Sequence, residues 1–197
     1  MAEVHDAAPI RAGYWVVPVT RGAIALVPGA AVAFIQDHSP TLGLLVFGAW
    51  ALVSGLVVGA LSLRLVADRP IRVILAVQAV VTATAGILAL IVPGGLQWLG
   101  LLLISWAAIT GILEIFAGLR ARGRTAASRD WLTAGILTAL YAVVVLVVPA
   151  DAVTVVGFLG GYLVVLGVAL VIGGLSLKWA AAAPAVDAPA APRTEQP

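Results

Sequence analysis

The strongest constraint on this chain is the stretch from residue 130 to residue 178, which carries only three formal charges. It contains two apolar runs, 131–148 and 152–177, joined by a three-residue link. At about 1.5 Å per residue, each run is long enough as a helix to cross a hydrocarbon core about 30 Å thick. A soluble protein would need a large polar shell to cover such a hairpin, yet only 10% of the residues are charged. The sequence therefore indicates an integral membrane protein.

The same pattern recurs along the chain and predicts an all-α fold, a bundle of six transmembrane helices. The predicted spans are residues 14–35, 41–63, 73–92, 96–119, 131–148 and 152–177. Residues 1–13 contain no long apolar run, so we expect a disordered N-terminus without a cleaved signal peptide. Residues 179–197 mix alanine with proline, so we expect a disordered tail. The membrane domain is predicted to cover residues 14–178.

Lysine and arginine are distributed unequally between the two sides of the predicted bundle. Threading the six spans from side to side places ten of these residues on the side of the termini and none on the other side. The ten are Arg11, Arg64, Arg69, Arg72, Arg120, Arg122, Arg124, Arg129, Lys178 and Arg193. Cytoplasmic loops carry such an excess, so we expect a plasma-membrane protein with both termini in the cytoplasm. The basic residues then reflect topology and a bilayer partner, and they do not indicate nucleic acid.

Three aromatic residues, each followed five residues later by glycine, reveal an internal repeat. They are spaced 56 residues apart, at Trp50, Trp106 and Tyr162. This spacing predicts three repeated helical hairpins, at residues 14–63, 73–119 and 131–177. Each hairpin holds an even number of spans, so the repeats are parallel and any pseudo-symmetry axis lies along the membrane normal. We expect the three aromatic side chains to fill the core of the bundle.

Small residues recur every seven positions on the second, fourth and sixth spans. The glycines of this pattern are Gly48, Gly55, Gly111, Gly118, Gly160, Gly167 and Gly174. A seven-residue period keeps one face against a neighbour, and the absence of a side chain lets helices approach closely. We therefore expect helix-packing faces, including the GxxxG sequence at 157–161. A pore lined by these glycines is the alternative.

The repeats, the proline turns at Pro93 and Pro149, and the Arg21–Gly22 pair in the first span resemble the HdeD-like family. That family consists of six-span bacterial membrane proteins built from short repeats and is named for a member linked to acid resistance. The resemblance covers residues 14–178 and departs from the pattern in the first hairpin, where Asp37 stands in place of the turn proline. It implies the six-span fold and a role in acid or stress resistance, without a reaction or a cargo.

Polar side chains within the spans are the candidates for chemistry, because ionisable groups in a bilayer are rare and costly. Arg21, Gln78 and Glu114 lie at a similar predicted depth, about 10 Å inside the basic side. They form a predicted cluster that either pins helices together or lets Glu114 act as a protonatable switch released from Arg21. The alternative is that Arg21 extends to lipid phosphates and Glu114 pairs with Arg64 or Arg120.

Other site types find no support in the sequence. Two histidines and no cysteine do not make a metal site, and no nucleotide-binding or hydrolase motif occurs. His38, beside Asp37 in an outer loop, could sense external acid or simply be solvated. We expect no enzyme, no cofactor and no metal. Two hypotheses remain: a non-enzymatic bundle that supports membrane integrity or stress resistance, with other membrane proteins or further copies as partners, and a small transporter or proton-conducting protein that uses Arg21 and Glu114.

Overall fold

The computed structural model describes residues 10–182 and consists of six α-helices. They are α1 (Val16–Phe34), α2 (Pro40–Leu65), α3 (Arg69–Ile91), α4 (Leu96–Arg120), α5 (Ala127–Val147) and α6 (Ala152–Ala182). Each is long and apolar enough to cross a membrane. Helices satisfy their own backbone hydrogen bonds, which is what a hydrocarbon environment demands. The chain is therefore an all-α, multi-pass membrane protein with the predicted number of spans.

Several helices begin or end outside the predicted limits. α3 begins at Arg69, four residues early, because the Asp68 side chain accepts a hydrogen bond of 3.1 Å from the Ile71 amide and caps the helix. α6 continues to Ala182 through a run of alanines, the best helix formers, so the predicted tail begins too early. Residues 183–197 lie outside the described residues.

The segment 10–13, which we expected to be disordered, is ordered against the end of α2. Ile10 forms a β-bridge with Val66, and the Arg11 amide donates a hydrogen bond of 2.9 Å to the Leu65 carbonyl. Ile10 also packs on a buried apolar cluster. Burial of this side chain explains why the chain is held there. Residues 1–9 lie outside the described residues.

The helices form a closed ring in which three pairs pack most closely: α2 with α3, α4 with α5, and α6 with α1. The two helices of each predicted hairpin also touch, but less extensively. The tightest contacts therefore join one predicted hairpin to the next. The helix ends and connecting segments that carry Arg or Lys all lie at one end of this ring, called here the arginine-rich end, and the loops at 35–39, 92–95 and 148–151 lie at the other, the outer end.

The recurring glycines lie in the seams of the three tight pairs. A Cβ atom on Gly55 would come 2.7 Å from the backbone nitrogen of Ala83, and one on Gly111 would come 2.7 Å from that of Ala139. Those on Gly48, Gly118, Gly160, Gly167 and Gly174 would also meet a neighbouring helix within 3.0 Å. These glycines face helices of the same chain rather than a pore, and Gly55 also borders the small cavity described below. The GxxxG glycines at 157 and 161 instead face open space.

The buried interior is divided into two apolar clusters. The larger cluster lies toward the outer end and contains the three repeated aromatic residues. Trp106 stands at its centre, edge to face with Trp50 at 5.2 Å and with Tyr162 at 6.1 Å between ring centroids. The smaller cluster lies toward the arginine-rich end and includes Tyr14 and Trp131. Polar side chains occupy the layer between them.

Candidate functional site

A small polar cavity of about 50 Å³ separates the two apolar clusters. All six helices contribute to its wall. Its polar lining includes the three side chains predicted to cluster, Arg21 from α1, Gln78 from α3 and Glu114 from α4. The fold therefore brings together residues that are far apart in the sequence.

An ion pair between Arg21 and Glu114 crosses this cavity. The Arg21 guanidinium donates a hydrogen bond from Nη1 to Oε1 of the carboxylate. Glu114 is fully buried, and the Arg21 side chain is 14% exposed. α1 packs mainly on α6, and α4 mainly on α5, so the pair links helices on different sides of the ring. Among the described residues, neither Arg64 nor Arg120 forms an ion pair with Glu114.

Several other polar atoms around the cavity lack partners within the described residues. Glu114 Oε2, Gln78 Oε1, Ser54 Oγ and Trp50 Nε1 are buried without a hydrogen bond to the described part of the chain. Gln78 thus lines the same cavity as the ion pair without a hydrogen bond to either partner. An unpaired buried polar group costs about 1–3 kcal/mol. The cavity exceeds the 10–15 Å³ or so that one water needs, so a few waters can supply these bonds.

Asp130 is a wall residue that sequence reasoning placed outside the membrane. We expected the fifth span to begin at Trp131, but α5 begins at Ala127, which puts Asp130 in its first turn. Its carboxylate lies against Gly173 of α6, and its Oδ2 is buried without a partner. The repeat offered a signal, because Asp130 falls 56 residues after Ile74, an apolar residue at the equivalent position.

Aromatic side chains close the cavity toward both ends. On the outer side, Trp106 donates a hydrogen bond from its indole nitrogen to Thr82 Oγ1 at 3.1 Å and packs against Trp50. On the other side, Trp131 and Tyr14 are buried against each other. Because α5 begins four residues before Trp131, this indole lies inside the bundle and not at a helix end exposed to the membrane surface. The polar layer is therefore bounded by aromatic rings on both sides along the bundle axis.

His38 takes no part in this site. It lies in the loop before α2, where its Nδ1 is 3.2 Å from the Gln36 carbonyl oxygen. Its neighbour Asp37 instead accepts a hydrogen bond of 2.8 Å from the Ser39 amide. No three His, Cys, Asp or Glu side chains gather as a metal site would require anywhere in residues 10–182. The cavity around Arg21 and Glu114 is thus the strongest candidate site in the described part of the chain.

Fold and cavity together define a class, the multi-pass helical membrane proteins with a buried ion pair. Comparisons with protein-family models, curated proteins and solved structures find no match to this chain. The resemblance to the HdeD-like family therefore remains a prediction from the repeated motifs.

Proposed function

We propose that this chain is a non-enzymatic protein of the bacterial plasma membrane, of the HdeD-like type, that supports membrane integrity during acid stress. The proposal includes three parallel helical-hairpin repeats and cytoplasmic termini. The seams support the repeats, because the Gly55–Ala83 contact recurs 56 residues later as Gly111–Ala139. The loops support the orientation, because every Lys and Arg outside α1 lies at the arginine-rich end or in the terminal segments.

The buried aromatic barrier on the outer side of the polar cavity is the observation that carries this proposal. A solute crossing the membrane needs polar partners along its whole route to replace lost hydration. Here the polar layer ends at the buried aromatic cluster around Trp106. The free space of about 50 Å³ beside the ion pair is also too small for an organic substrate. Both features favour a supporting bundle over a solute transporter or an enzyme.

Survival of acid-treated cells tests the proposed function. We expect cells that lack the protein to survive acidic medium less well than cells that have it, with no difference at neutral pH. A plasmid copy of the wild-type gene should restore survival. The double variant Arg21→Leu/Glu114→Leu separates structure from function: if it accumulates normally yet fails to restore survival, the ion pair has a role beyond holding the bundle. Equal survival with and without the protein would contradict the proposal.

Proton conduction is a second candidate, favoured by the unpartnered carboxylate atoms of the cavity. Glu114 Oε2 and Asp130 Oδ2 both lack partners beside a space that can hold water. Intramembrane carboxylates with water between them are the usual elements of proton relays. Liposomes that contain the protein and a pH-sensitive dye should then acidify faster than empty liposomes. Glu114→Gln should abolish the difference, and the absence of any flux would eliminate this candidate.

A further inference from the structure

A groove of about 440 Å³ lies between α3 and α4 at the arginine-rich end of the bundle. Its lining residues come from the first turns of α3 and the last turns of α4: Arg69, Pro70, Val73, Ile74, Phe116 and Arg120. Two arginines therefore mark the groove at the level of the loops. The apolar members lie deeper along the same helices, toward the middle of the membrane.

The two arginines are free to bind an anion. Both are exposed, and neither forms an ion pair within the described residues. The acidic residue next to Arg69 in the sequence, Asp68, accepts a hydrogen bond of 2.8 Å from Arg124, and the charge of Arg120 acts on it only at longer range. The ion pair with Arg124 thus neutralises the only carboxylate adjacent to Arg69 in the sequence. Guanidinium groups bind phosphate oxygens through paired hydrogen bonds, so the end of the groove lined by the two arginines is suited to a phosphate.

The other end of the groove, toward the middle of the membrane, is apolar. Val73 and Phe116 are each 54% exposed, and Ile74 is partly exposed beside them. In a bilayer these side chains face hydrocarbon. A free phosphate or a soluble phosphate ester would contact only the arginines and would leave this apolar wall unused. A phospholipid carries a phosphate and acyl chains in the same order as the groove presents arginine and apolar side chains.

We propose that this groove binds one anionic phospholipid, with its phosphate between Arg69 and Arg120 and an acyl chain along Val73, Ile74 and Phe116. The charge of the site selects an anionic headgroup over a zwitterionic one, because a basic pocket between transmembrane helices attracts net negative charge. The inference is independent of the proposed function and of the central cavity.

Lipid titration of the purified full-length chain in a neutral detergent tests the proposal. Phosphatidylglycerol should raise the thermal unfolding temperature, whereas phosphatidylcholine and inorganic phosphate should not. In Arg69→Gln/Arg120→Gln, the apparent affinity for phosphatidylglycerol should fall about thirtyfold, from two lost arginine contacts near the membrane surface. The control Arg122→Gln/Arg129→Gln removes two exposed arginines from the same end and should retain the wild-type affinity.

A second pair of variants tests the apolar part of the groove. Val73→Trp should fill the groove and weaken phosphatidylglycerol binding without lowering the unfolding temperature measured in the absence of lipid. The control is Val77→Trp. Val77 lies about one turn further along α3, is 46% exposed and is outside the groove, so this variant should bind lipid normally. Equal stabilisation by inorganic phosphate, or equal loss of affinity in either control, would overturn the proposal.

Discussion

Trp131 donates a hydrogen bond of 2.7 Å from its indole nitrogen to the hydroxyl of Tyr14, which lies 117 residues earlier in the chain. The two rings meet edge to face, with centroids 5.7 Å apart. Both side chains are buried, and both line the polar cavity on the side of the arginine-rich end. The contact therefore joins the segment before α1 to the first turn of α5 and closes the cavity on that side.

Replacing Trp131 by Phe should destabilise the bundle by about 1–3 kcal/mol, because the buried Tyr14 hydroxyl loses its hydrogen-bond donor. Thermal unfolding in detergent measures this change. Trp179→Phe removes the same indole nitrogen from a side chain that is 66% exposed and should have little effect. The double variant Tyr14→Phe/Trp131→Phe should lose less stability than the sum of the losses in the two single variants. Equal losses in the Trp131 and Trp179 variants would mean that the hydrogen bond contributes nothing.

The Arg21–Glu114 pair should behave as a coupled unit. Arg21→Leu and Glu114→Leu should each destabilise the protein by about 3–5 kcal/mol, because each leaves one charge buried without its partner. The double leucine variant should recover much of that loss, since no uncompensated charge remains. Chemical unfolding of the four proteins in detergent gives the coupling free energy. Strictly additive losses would contradict a direct interaction.

The number and order of spans could be predicted from sequence, because a long apolar run in a membrane satisfies its backbone hydrogen bonds by forming a helix. The approach of Arg21 to Glu114 follows similar logic, since an in-span charge needs a partner. The repeat offered a signal that Asp130 lies within a span, but the inward direction of Asp130 and Trp131 could not be predicted. That direction depends on where α5 begins and on how it is rotated against its neighbours. Because apolar residues lie on most faces of this helix, its sequence does not reveal that rotation. The preferred pairing of α2 with α3 likewise depends on matching surfaces, which chain order does not reveal.

The glycine seam predicts a large difference between two alanine substitutions on α4. In Gly111→Ala the new methyl group would lie 2.7 Å from the backbone nitrogen of Ala139, and backbone atoms cannot move aside. We expect a loss of about 1–3 kcal/mol from overpacking. Gly100→Ala meets no atom within 4 Å and should be neutral or slightly stabilising, because alanine favours the helix. Thermal unfolding in detergent compares them, and equal effects would remove the packing argument.

The proposed orientation can be tested with single cysteines, since the natural chain contains none. Cysteines at Asp37, Gly94 and Asp151, all exposed at the outer end, should react with a membrane-impermeant thiol reagent added to intact cells. Cysteines at Arg122 and Ala126, exposed at the arginine-rich end, should react only after the cells are opened. Labelling of Ala126 in intact cells would reverse the assigned orientation or change the number of spans.

Asp68 should make the stability of the arginine-rich end depend on pH. Partial burial raises its pKa, but hydrogen bonds from the Ile71 amide and from Arg124 outweigh this effect and lower the pKa below the usual value of 3.8. A carboxylate with a lowered pKa in the folded state stabilises the fold above its unfolded pKa and loses that contribution as the pH falls through the folded pKa. Stability from Asp68 is therefore complete near neutral pH and declines below about pH 4.

The variant Asp68→Asn isolates this effect, because asparagine caps a helix about as well as aspartate but carries no charge for Arg124. The wild type should unfold at a higher temperature than Asp68→Asn at neutral pH. The difference should shrink as the pH falls below about 4, because Asp68 takes up a proton first in the unfolded chain and, at lower pH, in the folded protein. Arg124→Gln removes the other partner and should likewise approach the wild type in acid. A difference between wild type and Asp68→Asn that is unchanged from neutral to acidic pH would show that ionisation of Asp68 does not contribute to folding.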